Sequence, residues 1–537
     1  CPVSVIGTLT DDGRLVVTDF EFDNRPVDMP MQMLLGNPPK MTRDVVRVSH
    51  DTTGIDLADI TLEDAVYRVL RFPAVANKGF LIHIGDRTVG GLSARDQLIG
   101  PWQVPVSDVA ITLAGFEGVK GEAMAMGERT PLAAFNAPAS GRMAVAESIT
   151  NIAAAAIDGI DKVRLSANWM AAAGHSGEDA SLFDTVKTVA NDMCRKLGIA
   201  IPVGKDSLSM RARWQQDGED YQVVAPVSLI VSAFAPVSDA TRQLTPQLRA
   251  AGEQTYLLLF DLGGGANRLG GSCLAQAFNR VGGEAPDIDE PAMLGRFFAA
   301  IQELSSRDML LAYHDRSDGG LLATVAEMMF ASRLGVSLQL AGSRESMLAQ
   351  LFSEEAGAVV QVTKARLPQV QMLLDRHGVT AQAIGRVERE PVLTIRDGGN
   401  APLRFERKDL QRAWSETSYR IQALRDNPAT AKEEFDRILD DNDPGLHAEL
   451  TFDANNDITL QLRGGVKPRV AILREQGVNS QYEMAAAFMR AGFSVVDVHM
   501  SDLLEGRDDL ANYQGMVACG GFSFGDVLGA GGGWAKS

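Results

Sequence analysis

The stretch 310–328 decides how this chain reads: Leu310-Leu311-Ala312-Tyr313-His314-Asp315-Arg316-Ser317-Asp318-Gly319-Gly320-Leu321-Leu322-Ala323-Thr324-Val325-Ala326-Glu327-Met328. Its first four residues are a short apolar run of the kind that forms a buried strand. Polar side chains then occupy 314–318, two of them carboxylates, and a glycine pair ends the turn. An apolar helical pattern begins at once. Strand, polar glycine turn and helix start bring carboxylates and free backbone N–H groups to one point, a geometry suited to a metal-bound phosphate. A plain helix cap by Ser317 or Asp318 is the competing reading.

Outward from this stretch, the pattern is that of an α/β and α+β multidomain chain. Residues 1–25 alternate in short runs, Val3 to Gly7 and Arg14 to Thr18, with Asp11-Asp12-Gly13 as the expected turn of a hairpin. Pro26, Pro30, Pro38 and Pro39 mark 26–50 as a linker. Thr61 is placed to cap a helix running to Arg71. An α/β domain then extends to about 240. Strands are expected at Phe80–Ile84, Val106–Leu113 and Val227–Phe234, and helices at Met143–Ala156 and Ser181–Leu197. A second domain starts near Thr255 with a strand, Tyr256–Phe260. The glycine-rich loop 263–272 follows and fails the G-x-G-x-x-G pattern at Arg268, so a close-packed strand-to-helix turn is expected there. Residues 425–465 are polar and acidic and read as an extended linker. The last segment has strands at Arg469–Leu473, Ser494–Val498 and Gly515–Ala518 and a helix from Gln481. It reads as the start of a doubly wound parallel sheet.

Composition narrows the function classes. The 537 residues carry 51 basic and 69 acidic side chains, a net charge of -18, with 45% hydrophobic residues. That balance is globular and argues against general nucleic-acid binding, which needs a basic surface. Cys1, Cys194, Cys273 and Cys519 form no C-x-x-C pair, so neither a zinc site nor a disulfide framework is expected, and a reducing cytoplasm fits best. No apolar run is long enough for a membrane span, and no signal peptide is recognisable. Cys1 stands where Met is usual, and the sequence stops at Ser537 directly after a strand-and-glycine pattern. Both ends read as cut, and a piece of a longer polypeptide is expected.

Several constellations can carry chemistry. Glu147 and Asn151 are spaced i, i+4, which puts both oxygens on one helix face, and Asp108 closes the run from Gly100. Oxygen-only donors suit Mg²⁺. An N-cap and a solvated helix face fit the same spacing. Asp315 is a possible further ligand, and Ser317 a phosphate or nucleotide contact. Lys205, in Pro202-Val203-Gly204-Lys205-Asp206-Ser207, has the flavour of a phosphate loop, although the Walker spacing fails. Cys519 invites a nucleophile reading, but two glycines follow it and no helix follows closely. Gly520 and Gly521 look more like amides shaping an oxyanion pocket.

Taken together, GPWQVPVSD (100–108), GRMAVAESITNI (141–152), LSANWMAAAGH (165–175), IPVGKDSLSM (201–210), LGGSCLAQ (269–276), HDRSDGGLLATVAEM (314–328), ILREQGVNSQ (472–481) and VACGGFSFGDVLGAGGGWAKS (517–537) resemble the large, single-chain phosphoribosylformylglycinamidine synthases. The resemblance implies aminoimidazole-ribonucleotide-synthetase-like N- and C-type domains, followed by a truncated class I glutaminase domain. It implies a tail of a preceding C-type domain at 1–25, an N-type domain at 26–240, a C-type domain at 241–425, a linker at 426–466 and the glutaminase from 467. The family converts formylglycinamide ribonucleotide, ATP and glutamine to the amidine, ADP, phosphate and glutamate. The resemblance implies that ATP phosphorylates the amide oxygen to give an iminophosphate, and that ammonia from the glutaminase then displaces phosphate from it.

By matching motifs, Asp108, Glu147, Asn151 and Asp315 fall on the family's magnesium ligands, and Ser107 and Ser317 on its nucleotide contacts. No catalytic residue is assigned. The glutaminase Cys, His and Glu lie beyond Ser537 in the family pattern, Cys519 is not that nucleophile, and an isolated piece is expected to be inactive. ATP or ADP, Mg²⁺, the two other substrates and the rest of the polypeptide are the implied ligands and partners, in a monomeric cytoplasmic enzyme. The glutaminase motifs argue against a selenophosphate synthetase or thiamine-phosphate kinase. A non-catalytic nucleotide-binding scaffold is the alternative from another class.

Overall fold

The computed structural model describes all residues except 1–3, 38, 41, 51–52, 89, 397–401 and 458–464, so the readings made for Cys1, Val3, Pro38 and part of the 425–465 stretch lie outside the described residues. It divides into two compact units, Cys1–Val46 and Arg47–Ser537. In the first, Arg14–Asp19 pairs antiparallel with Asn24–Pro30, and a five-residue helix, Met31–Leu35, follows. The expected hairpin is therefore displaced. Asp19 Oδ1 accepts from the amides of Glu21 (2.9 Å) and Phe22 (3.2 Å), and Asp23 takes a positive φ of 47°. These contacts make 20–23 the turn. Residues 24–30 are strand rather than linker. Pro26 is tolerated because it falls at the register break between Val17 and Asp19.

The second unit holds three principal sheets. The first has five strands in the order Ala110–Leu113, Gly121–Glu128, Ser228–Val237, Arg164–Met170, Ala200–Ser207, all antiparallel neighbours except the last pair. The helix Ala137–Ile152 packs on it. It starts six residues before the expected Met143, because Asn136 caps it by accepting from the Ala139 amide (3.2 Å) and Pro138 sits in its first turn. Gly127 permits the close approach: a Cβ there would lie 2.2 Å from the Ala144 carbonyl oxygen. The helix predicted over 181–197 runs from Glu178 to Leu197, with a π-helical stretch at Thr188–Cys194.

The second sheet has seven strands, in the order Ala312–Asp315, Gly357–Thr363, Thr255–Asp261, Gln382–Glu388, Gly335–Gln339, Val392–Arg396, Leu403–Glu406. The helix Gly320–Ser332 lies within its core. The helix Leu62–Arg71 joins the same core. Leu62, Ala65, Val66, Val69 and Leu70 form one buried stripe, and Thr61 accepts from the Asp64 amide. Each large side chain in such a stripe contributes about 1.5–3 kcal/mol on burial. The third sheet is parallel, with Arg469–Arg474 between Ser494–His499 and Gly515–Ala518, as the doubly wound reading expects.

Three local expectations are corrected. Phe80–Ile84 is not a strand: Gly79–Ile82 is a helical turn, opened by Asn77 Oδ1 accepting from the Gly79 amide (2.8 Å). A five-residue apolar run has no periodicity with which to choose. Lys205 lies within the exposed strand Ala200–Ser207, and its ammonium donates to Ser207 Oγ (2.6 Å), so no phosphate-cradling loop exists there. The 425–465 stretch is not extended throughout. Pro428–Asp436 is a helix, and Asp441 and Asp443 are tied to Arg407 (3.0 Å) and Arg333 (3.3 Å). Among the described residues, no helix is long and apolar enough to cross a membrane.

Candidate metal and nucleotide site

His314 and Asp315 are the end of a buried strand, not part of the turn; the reversal occupies 316–319. Strand pairing of His314 with Val359 and Asp315 with Ala358 fixes their backbone. Asp108 arrives from the loop before Ala110. Its Oδ1 lies 2.6 Å from His314 Nδ1 and 3.4 Å from the Asp315 amide nitrogen. Asp108, His314 and Asp315 each bring a donor atom within 4.8 Å of the others. Asp108 Oδ2 and Asp315 Oδ2 are both buried with no hydrogen-bond partner. A buried carboxylate oxygen left unpaired is costly, and a hard divalent cation satisfies two at once. Both ring nitrogens of His314 are engaged, Nδ1 by Asp108 Oδ1 and Nε2 by Glu327 Oε2 (2.7 Å).

Burial and like charge dominate the electrostatics of the cluster. Burial pushes the Asp315 carboxyl well above the usual range, and the neighbouring Asp108 and Glu147 carboxylates push it further. Burial alone would lower His314, but Asp108 and Glu327 outweigh it and hold the imidazole well above its ordinary value. Glu147 is pushed up to about 8, chiefly by burial, with Arg129 opposing and Asp318 adding to the rise. Its Oε2 accepts from the Glu128 amide (2.7 Å). One turn on, Asn151 donates from Nδ2 to the Met126 carbonyl (2.9 Å), which leaves Oδ1 as its free end. Of the expected set, the structure brings Asp108 and Asp315 together and Glu147 within their field. Asn151 sits on the Glu147 face. Ser107 Oγ is engaged by the Val109 carbonyl and by Gln243 Nε2 (both 2.9 Å), whereas Ser317 Oγ has no hydrogen bond among the described residues.

Beside this lies a second buried cluster. Arg129 bridges Asp318 and Glu354, and Glu354 Oε1 also accepts from the amides of Cys273 (2.9 Å) and Gly319 (2.8 Å). Burial pushes the Asp318 carboxyl up to about 6 despite Arg129. The guanidinium sits between the two carboxylates and offsets one of their two charges. Next along the chain, Glu355 holds Arg268 (2.8 Å), which fixes the 263–272 loop as the expected tight turn. A Cβ on Gly263 would lie 2.5 Å from the Glu355 side chain. Sequence reasoning missed Arg129, Glu354, Glu355 and Glu327. The available signals were two carboxylates directly before the apolar strand Gly357–Thr363, and a lone charge in the apolar helix Gly320–Ser332. Cys519 is buried at its strand end, and burial raises its thiol. Gly520 accepts from Ser480 Oγ (3.1 Å), and Gly521 bridges to Val478.

Comparison with known families gives three matches in order. Residues 77–236 match the FGAR-AT PurM_N-like domain. Residues 258–398 match the C-terminal domain of AIR synthase related proteins. Residues 467–537 match a CobB/CobQ-like glutamine amidotransferase domain. Among solved structures, PurL of T. maritima complexed with FGAR is 13% identical, with a TM-score of 0.44 over 66% of this chain and 54% of that one. The PurLQS structure from Thermotoga maritima is also 13% identical, with a TM-score of 0.46 over 66% and 52%. E. coli HypE, a hydrogenase maturation protein, is 18% identical, with a TM-score of 0.38 over 54% and 86%. The chain thus spans about half the length of the PurL chains it matches. In succession, the chain thus carries an FGAR-AT PurM_N-like domain, an AIR-synthase-type C-terminal domain and a glutamine amidotransferase domain, the domain series of a PurL-type FGAM synthase.

Proposed function

We propose that this chain supplies a magnesium-nucleotide site to an ATP-dependent amidotransferase of purine biosynthesis, which converts formylglycinamide ribonucleotide and glutamine to the amidine. The family domains support the reaction class. One observation carries the site. Asp108 Oδ2, from the loop before Ala110, and Asp315 Oδ2, from the strand Ala312–Asp315, are buried together without hydrogen-bond partners. In this reading, Asp108, Asp315, Glu147 and Asn151 hold Mg²⁺, and Ser107 and Ser317 contact the nucleotide. The bound ion would neutralise phosphate charge.

The protein's own part is positioning. His314 occupies Asp108 Oδ1 and leaves Oδ2 to the ion. The Glu128 and Met126 backbone groups orient Glu147 and Asn151. Whether the nucleotide here reacts or is held structurally is decided by measuring its turnover during amidine synthesis. Calorimetric titration of the chain with Mg²⁺ and ADP tests the site: binding lost in Asp108→Asn and Asp315→Asn supports it, and binding retained in both removes it.

A further inference from the structure

The carboxylate that defines the site is aimed by a chain of side chains reaching away from it. Asp108 sits in a loop, and among the described residues the one short contact to its side chain comes from His314 Nδ1, at 2.6 Å. The other ring nitrogen meets Glu327 Oε2 at 2.7 Å. Glu327 is the only charged residue in the helix Gly320–Ser332, whose other side chains are mostly apolar and buried. A carboxylate in such a helix is costly unless both its oxygens are used. Its second oxygen, Oε1, accepts from Trp414 Nε1 at 3.1 Å. Trp414 is itself immobilised. It is 3% exposed, its ring lies 5.4 Å from that of Phe330, and its carbonyl accepts from the Asn77 amide at 3.0 Å.

We propose that Glu327 and Trp414 are positioning residues for the metal site: they lock the His314 ring, and through it hold Asp108 with Oδ2 presented to the cation. The inference rests on the metal reading above. Partners one step removed from a ligand commonly change metal affinity 10–100-fold, because they fix the ligand's orientation before binding. Here the relay crosses four segments: the 108 loop, the strand Ala312–Asp315, the helix Gly320–Ser332 and the helix Arg407–Arg425. The affinity of the site therefore depends on a helix that supplies no ligand to it.

The test uses Mn²⁺, an oxygen-preferring surrogate visible by electron paramagnetic resonance. Affinity is measured on the full 537-residue chain and on Asp108→Asn, Glu327→Ala, Glu327→Gln and Trp414→Phe, with melting temperatures taken in chelator. Asp108→Asn should abolish binding. Glu327→Ala should weaken it about 10–100-fold. Glu327→Gln keeps an acceptor for Trp414 and should lose less. Trp414→Phe keeps most of the ring and removes the indole N–H; it should weaken binding by a smaller but measurable factor, whatever its melting temperature. Should Glu327→Ala fail to fold, Trp414→Phe decides. Folded Glu327 and Trp414 variants that bind Mn²⁺ as the parent does would show a purely structural role and overturn the inference. A parent chain that binds no Mn²⁺, or an Asp108→Asn that binds normally, overturns the metal reading itself.

Discussion

Glu147 concentrates the residue-scale argument. Its carboxyl is moved by burial from an ordinary 4.5 to about 8. Between those values the folded chain keeps a proton that the unfolded chain has released, so metal-free stability falls as pH rises through that window. Thermal melts in chelator from pH 5 to 9 should show this slope, and Glu147→Gln should flatten it. A slope unchanged in that variant would mean that another group is responsible. In the proposed site a bound cation would replace that proton, so Mg-nucleotide binding near pH 7 should release protons, measurable by calorimetry in buffers of different ionisation enthalpy. Arg129 gives a second residue-scale prediction. Removing it leaves the buried Glu354 carboxylate without its guanidinium partner, and Arg129→Ala should cost about 3–5 kcal/mol in denaturant titrations. A loss below about 1 kcal/mol would place that pair among weak, solvent-screened ones.

At the scale of elements, the helix Ala137–Ile152 and the strand Gly121–Glu128 work as one part. The strand's amides and carbonyls orient Glu147 and Asn151, and that needs the helix close. Gly127 makes room for it; an added Cβ would meet Ala144 and Ser148 backbone atoms at 2.2 and 2.4 Å. Gly127→Ala should therefore destabilise by about 1–3 kcal/mol, as overpacking does. It should also weaken Mg-nucleotide binding beyond the effect of a comparable crowding mutation away from the site. Gly141→Ala is that control, since its Cβ would meet Thr185 Cγ2 at 2.5 Å on the helix packed behind. Equal binding in both variants would separate the helix position from the site. The helix itself was legible in the sequence, because its Glu and Asn stand out among small apolar residues. The close approach at Gly127 was not, because it depends on which strand the helix meets.

At the scale of the whole molecule, the second unit is knit through two large cores, each built from both the 60–240 and the 250–415 regions. The 428–446 segment is docked on it. Trp102 Nε1 donates to the Asp443 carbonyl (2.9 Å), and the Leu446 amide to the Pro101 carbonyl (2.7 Å). Residues 447–457 are exposed and form no helix or strand. Limited Glu-C digestion should cut first at Glu449 and leave the 47–446 body folded and able to bind Mg-nucleotide. Early cuts within 62–446 would show that these cores do not form one cooperative body.

The sequence by itself determined the chemistry-bearing residue types, the alternation of strands and helices, and the parallel start of the glutaminase domain. Those signals are local: periodicity, caps, glycine turns and short motifs lie within one element. The apolar run at 80–84 and the turn at 11–13 misled for the same reason, since short segments carry too little periodicity to choose a state. The tertiary structure alone decided that Asp108 and Asp315 share one buried spot, that Arg129 bridges Glu354 and Asp318, and that Glu327 and Trp414 stand behind His314. Asp108 and His314 are 206 residues apart and Glu354 and Arg129 are 225. Partners so distant are selected only when packing brings the sheets together and the cost of an unpaired buried charge chooses among the arrangements.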